Sequence, residues 1–249
     1  MTISAMKKTK IFITLMFVVT TLACSGQSFL SKYPKLTKKN LSEFFSDWEA
    51  YSDSIASRAG KNDSLIDMVV AYNYRPKELE RRTCLSGKNA VPKYHVVPQY
   101  IDVERYYLDV DTTIAKLDFG FPSYIPDIKE EQYAVDSITP NLTHGWLYLT
   151  ADIDKVLSTF AGGLKAGEKT DKINKRNVRR LRKYIPIDYG HWGGYWWFTS
   201  FPYITEICHA DNLIAVMRRT SWCTGDMIWY VKENGKFVMR QQPVTSWIE

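Results

Sequence analysis

The sequence predicts an α+β fold in which N-terminal helices pack on a C-terminal, antiparallel and curved β-meander. Three observations predict it: an apolar period of helical spacing after Thr37, five extended runs with short polar breaks in the last fifty residues, and prolines that shorten the strands of the middle stretch.

Thr37 is placed to cap the first helix, whose Leu41, Phe44, Phe45, Trp48, Ser52 and Ile55 recur on one face and which Gly60 ends. That face is read as core. Asp63 is placed to cap a shorter helix carrying Leu65, Ile66, Val69 and Val70, which stops before Pro76 because proline crowds the residue ahead of it. The two are expected to form a helical hairpin. From Tyr94 to Leu149, short extended runs (Tyr94 to Val97, Ile101 to Val110, Gly145 to Leu149) alternate with Pro92, Pro98, Pro122, Pro126 and Pro140, which confine strands to short or edge positions. A third helix is expected from Asp152 through Ile153, Val156, Leu157 and Phe160 to the Gly162-Gly163 stop, and a fourth from Thr170 to a point before Pro186.

The meander is read as Tyr203 to Cys208, Leu213 to Trp222, Met227 to Lys232, Lys236 to Arg240 and Val244 to Ile248. Asp211-Asn212, Thr224-Gly225-Asp226, Glu233-Asn234-Gly235 and Pro243 separate the runs, and such short turns permit only antiparallel neighbours. A curved sheet wrapping the first helix, as in the NTF2-like cone, fits this order of elements. Arg218, Thr220 and Trp222 fall on one side of that sheet and Arg219 and Ser221 on the other; an inward Arg218 would suit an anionic ligand.

Ahead of the fold, Lys7, Lys8 and Lys10 precede an apolar run from Ile11 to Val19 and then Leu22-Ala23-Cys24-Ser25. This is the layout of an export signal, shorter than a membrane-spanning helix. A general signal peptidase cutting near Ala23 to Gln27 would release a soluble chain; alternatively Leu22-Ala23-Cys24 resembles the end of a lipobox, although Thr21 stands where an aliphatic residue is usual, which makes Cys24 the candidate lipidation site that would hold the chain at a membrane. The expected organisation is a leader over residues 1–27, a tether over 28–36 and one domain over 37–249. With three of its lysines in the leader, the remaining chain carries 30 − 27 = +3, too little for a polyanion binder, and export argues against nucleic acid. Cys84, Cys208 and Cys223 remain, enough for one disulfide and a free thiol or for three inert thiols.

The densest chemistry is Tyr184-Ile185-Pro186-Ile187-Asp188-Tyr189-Gly190-His191-Trp192-Gly193-Gly194-Tyr195-Trp196-Trp197-Phe198. Glycines among so many rings let large side chains lie across the backbone. Either the rings close the end of the core, or Trp192, Tyr195 or Trp196 stacks on a sugar or other ring while His191 and Tyr189 give hydrogen bonds. The stretch from Ile185 to Trp196, with the ending Thr245-Ser246-Trp247-Ile248-Glu249, resembles an uncharacterised group of secreted, lipoprotein-type proteins of Bacteroidetes-type bacteria. That resemblance implies an envelope location and transfers no catalytic residue. It also makes Asp53-Ser54-Ile55, Asp63-Ser64-Leu65, Asp111-Thr112-Thr113 and Asp136-Ser137-Ile138 similar to O-glycosylation acceptors of such bacteria, although turn and cap use accounts for the same residues.

No catalytic residue, cofactor or metal is indicated. His95, His144, His191 and His209 are scattered without zinc-like spacing. Cys208 and His209 are neighbours, which a strand points to opposite faces, while Glu206 shares the face of Cys208 and would make its thiol less reactive. Lys172, Lys175, Arg176, Arg179, Arg180, Arg182 and Lys183 surround Ile173, Asn177, Leu181 and Tyr184 on the fourth helix, a pattern that suits phosphate tracking or anionic headgroups but is ordinarily a solvated face with stems lying over the core. The expected function is non-catalytic binding of a carbohydrate or other ring-bearing small molecule in the envelope. The alternatives are a hydrolase in the sheet concavity using Asp188, His191 or Glu206, or a structural partner of another envelope protein.

Overall fold

Helix α1 spans Leu41–Arg58 and buries Leu41, Phe44, Phe45, Trp48, Ser52, Ile55 and Ala56, the face that the apolar spacing marks out. Its start lies four residues beyond Thr37. The Asn40 side chain accepts from the Thr37 N–H at 2.7 Å and the Thr37 hydroxyl accepts from the Asn40 N–H at 3.4 Å, which holds residues 38–40 in a turn ahead of the helix. Helix α2, Ser64–Asn73, buries Ile66, Val69, Val70 and Asn73. The structure, a computed structural model, describes residues 29–60, 64–74, 92–105, 134–162, 171–190, 195–210, 213–240 and 247–248, so the proposed Asp63 cap, Cys24 and Cys84 lie outside the described residues.

The strands are β1 (His95–Pro98), β2 (Ile101–Arg105), β3 (Ala134–Ile138), β4 (Trp146–Leu149), β5 (Asp188–Gly190), β6 (Tyr195–Trp197), β7 (Tyr203–Ala210), β8 (Leu213–Arg219), β9 (Thr224–Glu233), β10 (Lys236–Arg240) and β11 (Trp247–Ile248). Helices α3 (Ala151–Ala161) and α4 (Asp171–Leu181) lie between β4 and β5. The fold is α+β, with helices preceding an antiparallel meander β7-β8-β9-β10. The main sheet extends that meander in the order β10-β9-β8-β7-β2-β3, and β11 pairs with the first residues of β9. Because β8 already occupies one edge of β9 at Gly225, β11 continues the edge used by β10. Two parallel pairs, β2 with β7 and β1 with β4, have no counterpart in the sequence pattern.

The chain divides into two units, Met1–Lys35 and Leu36–Glu249. In the first, a 3-10 turn at Phe29–Lys32 brings the Phe29 and Tyr33 rings edge to face at 6.2 Å. In the second, α1 lies against β4 and α2 against β7. Ile55 and Ala56 of α1 and Ile66, Val69 and Val70 of α2 join Ile101, Val103, Ile204, Ile207, Ile214, Val216 and Tyr230 in one cluster on the inner face of the main sheet. Ser52 is polar yet sits on the core face because it is hydrogen-bonded there. Its hydroxyl accepts from the Tyr148 N–H at 3.1 Å, and the Trp48 indole donates to the Tyr148 carbonyl at 2.9 Å. The helix thereby satisfies both backbone groups of a buried strand residue.

A bulge interrupts β7, where Ile204 pairs with Arg218 but Glu206 with Met217. The Ile204 N–H donates to the Tyr74 hydroxyl at 3.0 Å and the Thr205 hydroxyl donates to the Met217 carbonyl at 3.2 Å, which anchors the extra residue. The turn between β8 and β9 falls at residues 220–223, earlier than the expected Thr224-Gly225-Asp226. Ser221 explains the shift, since its hydroxyl accepts from the Cys223 and Thr224 N–H groups and leaves Thr224 to Asp226 for the ladder. Helix α3 is capped by the Thr150 hydroxyl, which accepts from the Ile153 N–H, and ends at Gly162 with φ 110°. Helix α4 packs on α3, with the Asn177 amide donating to the Phe160 carbonyl at 2.8 Å. No helix among the described residues is long and apolar enough to cross a membrane.

Candidate ligand-binding hairpin and acidic sheet face

The aromatic segment forms an antiparallel pair of short strands. Asp188 is opposite Trp197, Tyr189 opposite Trp196 and Gly190 opposite Tyr195. His191 and Trp192 lie outside the described residues, as do the side chains of Tyr189 and Tyr195. Alternation along β6 sends Trp196 and Trp197 to opposite faces. Trp197 takes the core side: it packs against the main cluster, its ring is 6.5 Å from Phe201, and the Arg219 guanidinium lies 5.1 Å from its ring centroid. Trp196 therefore projects from the opposite face, where it is half-buried.

Asp188 shares the face of Trp197, and burial pushes its carboxyl up while the nearby Arg182 pulls it down. The Arg182 guanidinium also donates to the Ile187 carbonyl at 3.3 Å. Asp188 and Trp196 consequently stand on opposite faces of the hairpin.

Arg218 projects to the inner face of the sheet. Its Nε donates to Asp226 Oδ1 at 2.8 Å and its Nη2 to Asp226 Oδ2 at 2.6 Å, a bidentate pair with side chains only 11% and 15% exposed. A third donor, Nη1, reaches Asn73 Oδ1 at 3.1 Å; Asn73 in turn donates to the Val69 carbonyl at 2.9 Å and to the Tyr230 hydroxyl at 3.2 Å. The Nε/Nη2 edge of this guanidinium, the one suited to an anion, is occupied by the protein's own carboxylate.

The opposite, outer face of the sheet carries a different group. Register places Glu104 beside Cys208 and Asp102 beside Glu206 on the adjacent parallel strands β2 and β7. The Cys208 thiol donates to Glu206 Oε1 at 3.2 Å, and burial followed by the Glu206 charge pushes that thiol well up. Burial, then Glu206 and Asp102, also push the Glu104 carboxyl up. Glu104, Glu206 and Cys208 each bring one ligand atom within 4.8 Å of the others, a grouping that sequence spacing could not show because it forms across strands. Such groupings of acidic side chains are common without an ion, and a thiol must lose its proton to ligate. The expected inertness of Cys208 follows from the same geometry. Cys208 and Cys223 are free thiols.

Glu206 acts on Glu104 and Cys208, whereas the charge that acts on Asp188 is that of Arg182. Comparison of the chain with protein-family models, with curated proteins and with solved structures finds no match.

Proposed function

We propose that this chain is an exported, envelope-attached protein that binds, without catalysis, a carbohydrate or another small ring-bearing molecule on the outward face of the β5–β6 hairpin. One observation supports the reading above the others: of two adjacent half-buried tryptophans, Trp197 packs against the core cluster, whereas Trp196 lies on the opposite face of the hairpin. An indole in that position offers a flat apolar surface to the C–H face of a sugar ring, with a polar edge for water or hydroxyls. Asp188 is on the wrong face to act on a molecule stacked there, and Arg218 is already neutralised. The hydrolase reading would need a separate pocket on the sheet, away from Trp196.

The test is a glycan array on the full chain followed by calorimetry on any glycan retained. Trp196→Ala is expected to weaken binding about tenfold, the scale of one stacking contact, with an unchanged melting temperature. Trp197→Ala should instead destabilise the fold by about 3 kcal/mol through lost packing. An unfolded Trp196→Ala chain, or an array without a binder, would overturn the proposal.

A further inference from the structure

The positive charge of this protein is concentrated on one element. Residues 171–183 contain seven Lys or Arg and a single Asp, a net +6, whereas the chain beyond the leader carries +3, leaving everything else at 3 − 6 = −3. The structure sorts this segment by face. Asn174, Val178 and Leu181 are buried, and Lys175, Arg176, Arg179, Arg182 and Lys183 are exposed. At helical spacing those cations form one stripe along α4 and the turn after it, opposite the buried side. Arg180 is drawn aside to Asn177 at 2.9 Å, while Arg176, Arg179 and Lys183 have no acidic partner among the described residues.

An ordinary solvated face gains from mixing signs at neighbouring turns. Here Lys175 and Arg179, and Arg179 and Lys183, stand as like-charged i, i+4 pairs that repel each other. We propose that this stripe is an electrostatic contact for a membrane surface containing anionic phospholipid. A straight, convex row of cations matches a plane of negative headgroups better than it matches a compact anion, which would need converging groups. Val178 and Leu181 are packed into the domain, so these two are not free to insert, and a contact made by the charged stripe is weakened by salt. The choice of lipid over another polyanion rests on the export reading, which leaves the chain beside a bilayer; the stripe itself is independent of the hairpin and its ligand.

The experiment is sedimentation of the full chain with phosphatidylcholine vesicles, with and without phosphatidylglycerol. Each exposed cation contributes roughly fivefold to partitioning onto an anionic bilayer, so Arg176→Gln, Arg179→Gln and Lys183→Gln together should reduce the preference for anionic vesicles by about a hundredfold. The leader is common to both chains and cancels in the comparison. Arg176→Lys with Arg179→Lys should retain binding, and the wild-type preference should fall steeply as salt is added. Unchanged binding by the triple variant would overturn the proposal, as would salt-insensitive binding. So would capture by a soluble anionic polysaccharide under conditions where anionic vesicles fail. None of these readouts depends on leader cleavage or on glycan binding, so failure here is distinct from failure of the hairpin reading.

Discussion

Removing Asp226 tests whether Arg218 is part of the scaffold or part of a binding site. The pair is bidentate at 2.8 and 2.6 Å, and its side chains retain only 11% and 15% exposure. Deleting one partner of a buried pair leaves an uncompensated charge and costs about 3–5 kcal/mol; the residual exposure places Asp226→Leu near the lower figure, about 3 kcal/mol. In a domain of this size that lowers the melting temperature by about 6–12 °C. Arg218→Met should cost a similar amount, since it strands the Asp226 carboxylate and removes the donor to Asn73. The double variant leaves no buried charge. It should therefore lose only about 1 kcal/mol, the hydrogen bond to Asn73, and be more stable than either single variant. Equilibrium urea unfolding followed by tryptophan fluorescence measures all four chains. If Asp226→Leu stays within about 0.5 kcal/mol of wild type, or if the double variant is the least stable of the four, the reasoning is refuted. A ligand-binding Arg218 would behave differently, with Arg218→Met keeping its stability and losing only affinity.

Three further outcomes follow from particular groups. Gly162→Ala should lose about 2 kcal/mol in thermal unfolding, because φ is 110° there and a Cβ would overlap the Asn174 side chain; Gly60→Ala, with open space around it, is the neutral control. Glu104 has a raised carboxyl, so the folded state holds more protons than the unfolded state between the ordinary glutamate range of about 4.3 and its own higher value, and stability falls as pH rises through that window. Asp154 and Asp188 act in the same sense, so the difference between wild type and Glu104→Gln isolates the contribution of Glu104; identical slopes would refute it. Iodoacetamide at mildly alkaline pH should modify Cys223 before Cys208, and Glu206→Gln should speed modification of Cys208, whereas equal rates in both chains would dismiss the role of the Glu206 charge.

Local patterns are legible in the sequence and distant pairings are not. The buried face of α1 matches the apolar spacing residue for residue, with Ala56 added, because a helix face is written in consecutive turns. The meander strands are likewise legible from their breaks, although Ser221 moves one turn forward by capping it with its own hydroxyl. By contrast, β3 carries Asp136 and Ser137 among three apolar residues, too short a run to announce itself, and its place beside β2 is a matter of register. The hairpin of β5 and β6 is hidden because glycines and aromatics there satisfy a loop equally well. Glu104 cannot be recognised as a neighbour of Cys208, since only parallel pairing between strands far apart in sequence joins them. Trp196 stands out by its chemistry, but its separation from Trp197 requires knowledge of which strand face meets the core.

The parallel insertion of β2 beside β7 sets a timetable for the growing polypeptide. Val103 pairs with Ile207, 104 residues further on, so a chain synthesised from its amino end exposes one flank of β2 until its partner has left the ribosome. The later hairpins can close within their own neighbourhood, whereas this seam demands a large loop and is entropically the slower step. Nascent products cut short before Tyr203 would keep that flank open to foreign strands. Quality-control proteases and chaperones would thus find the unpaired flank of β2 open in any chain that lacks β7.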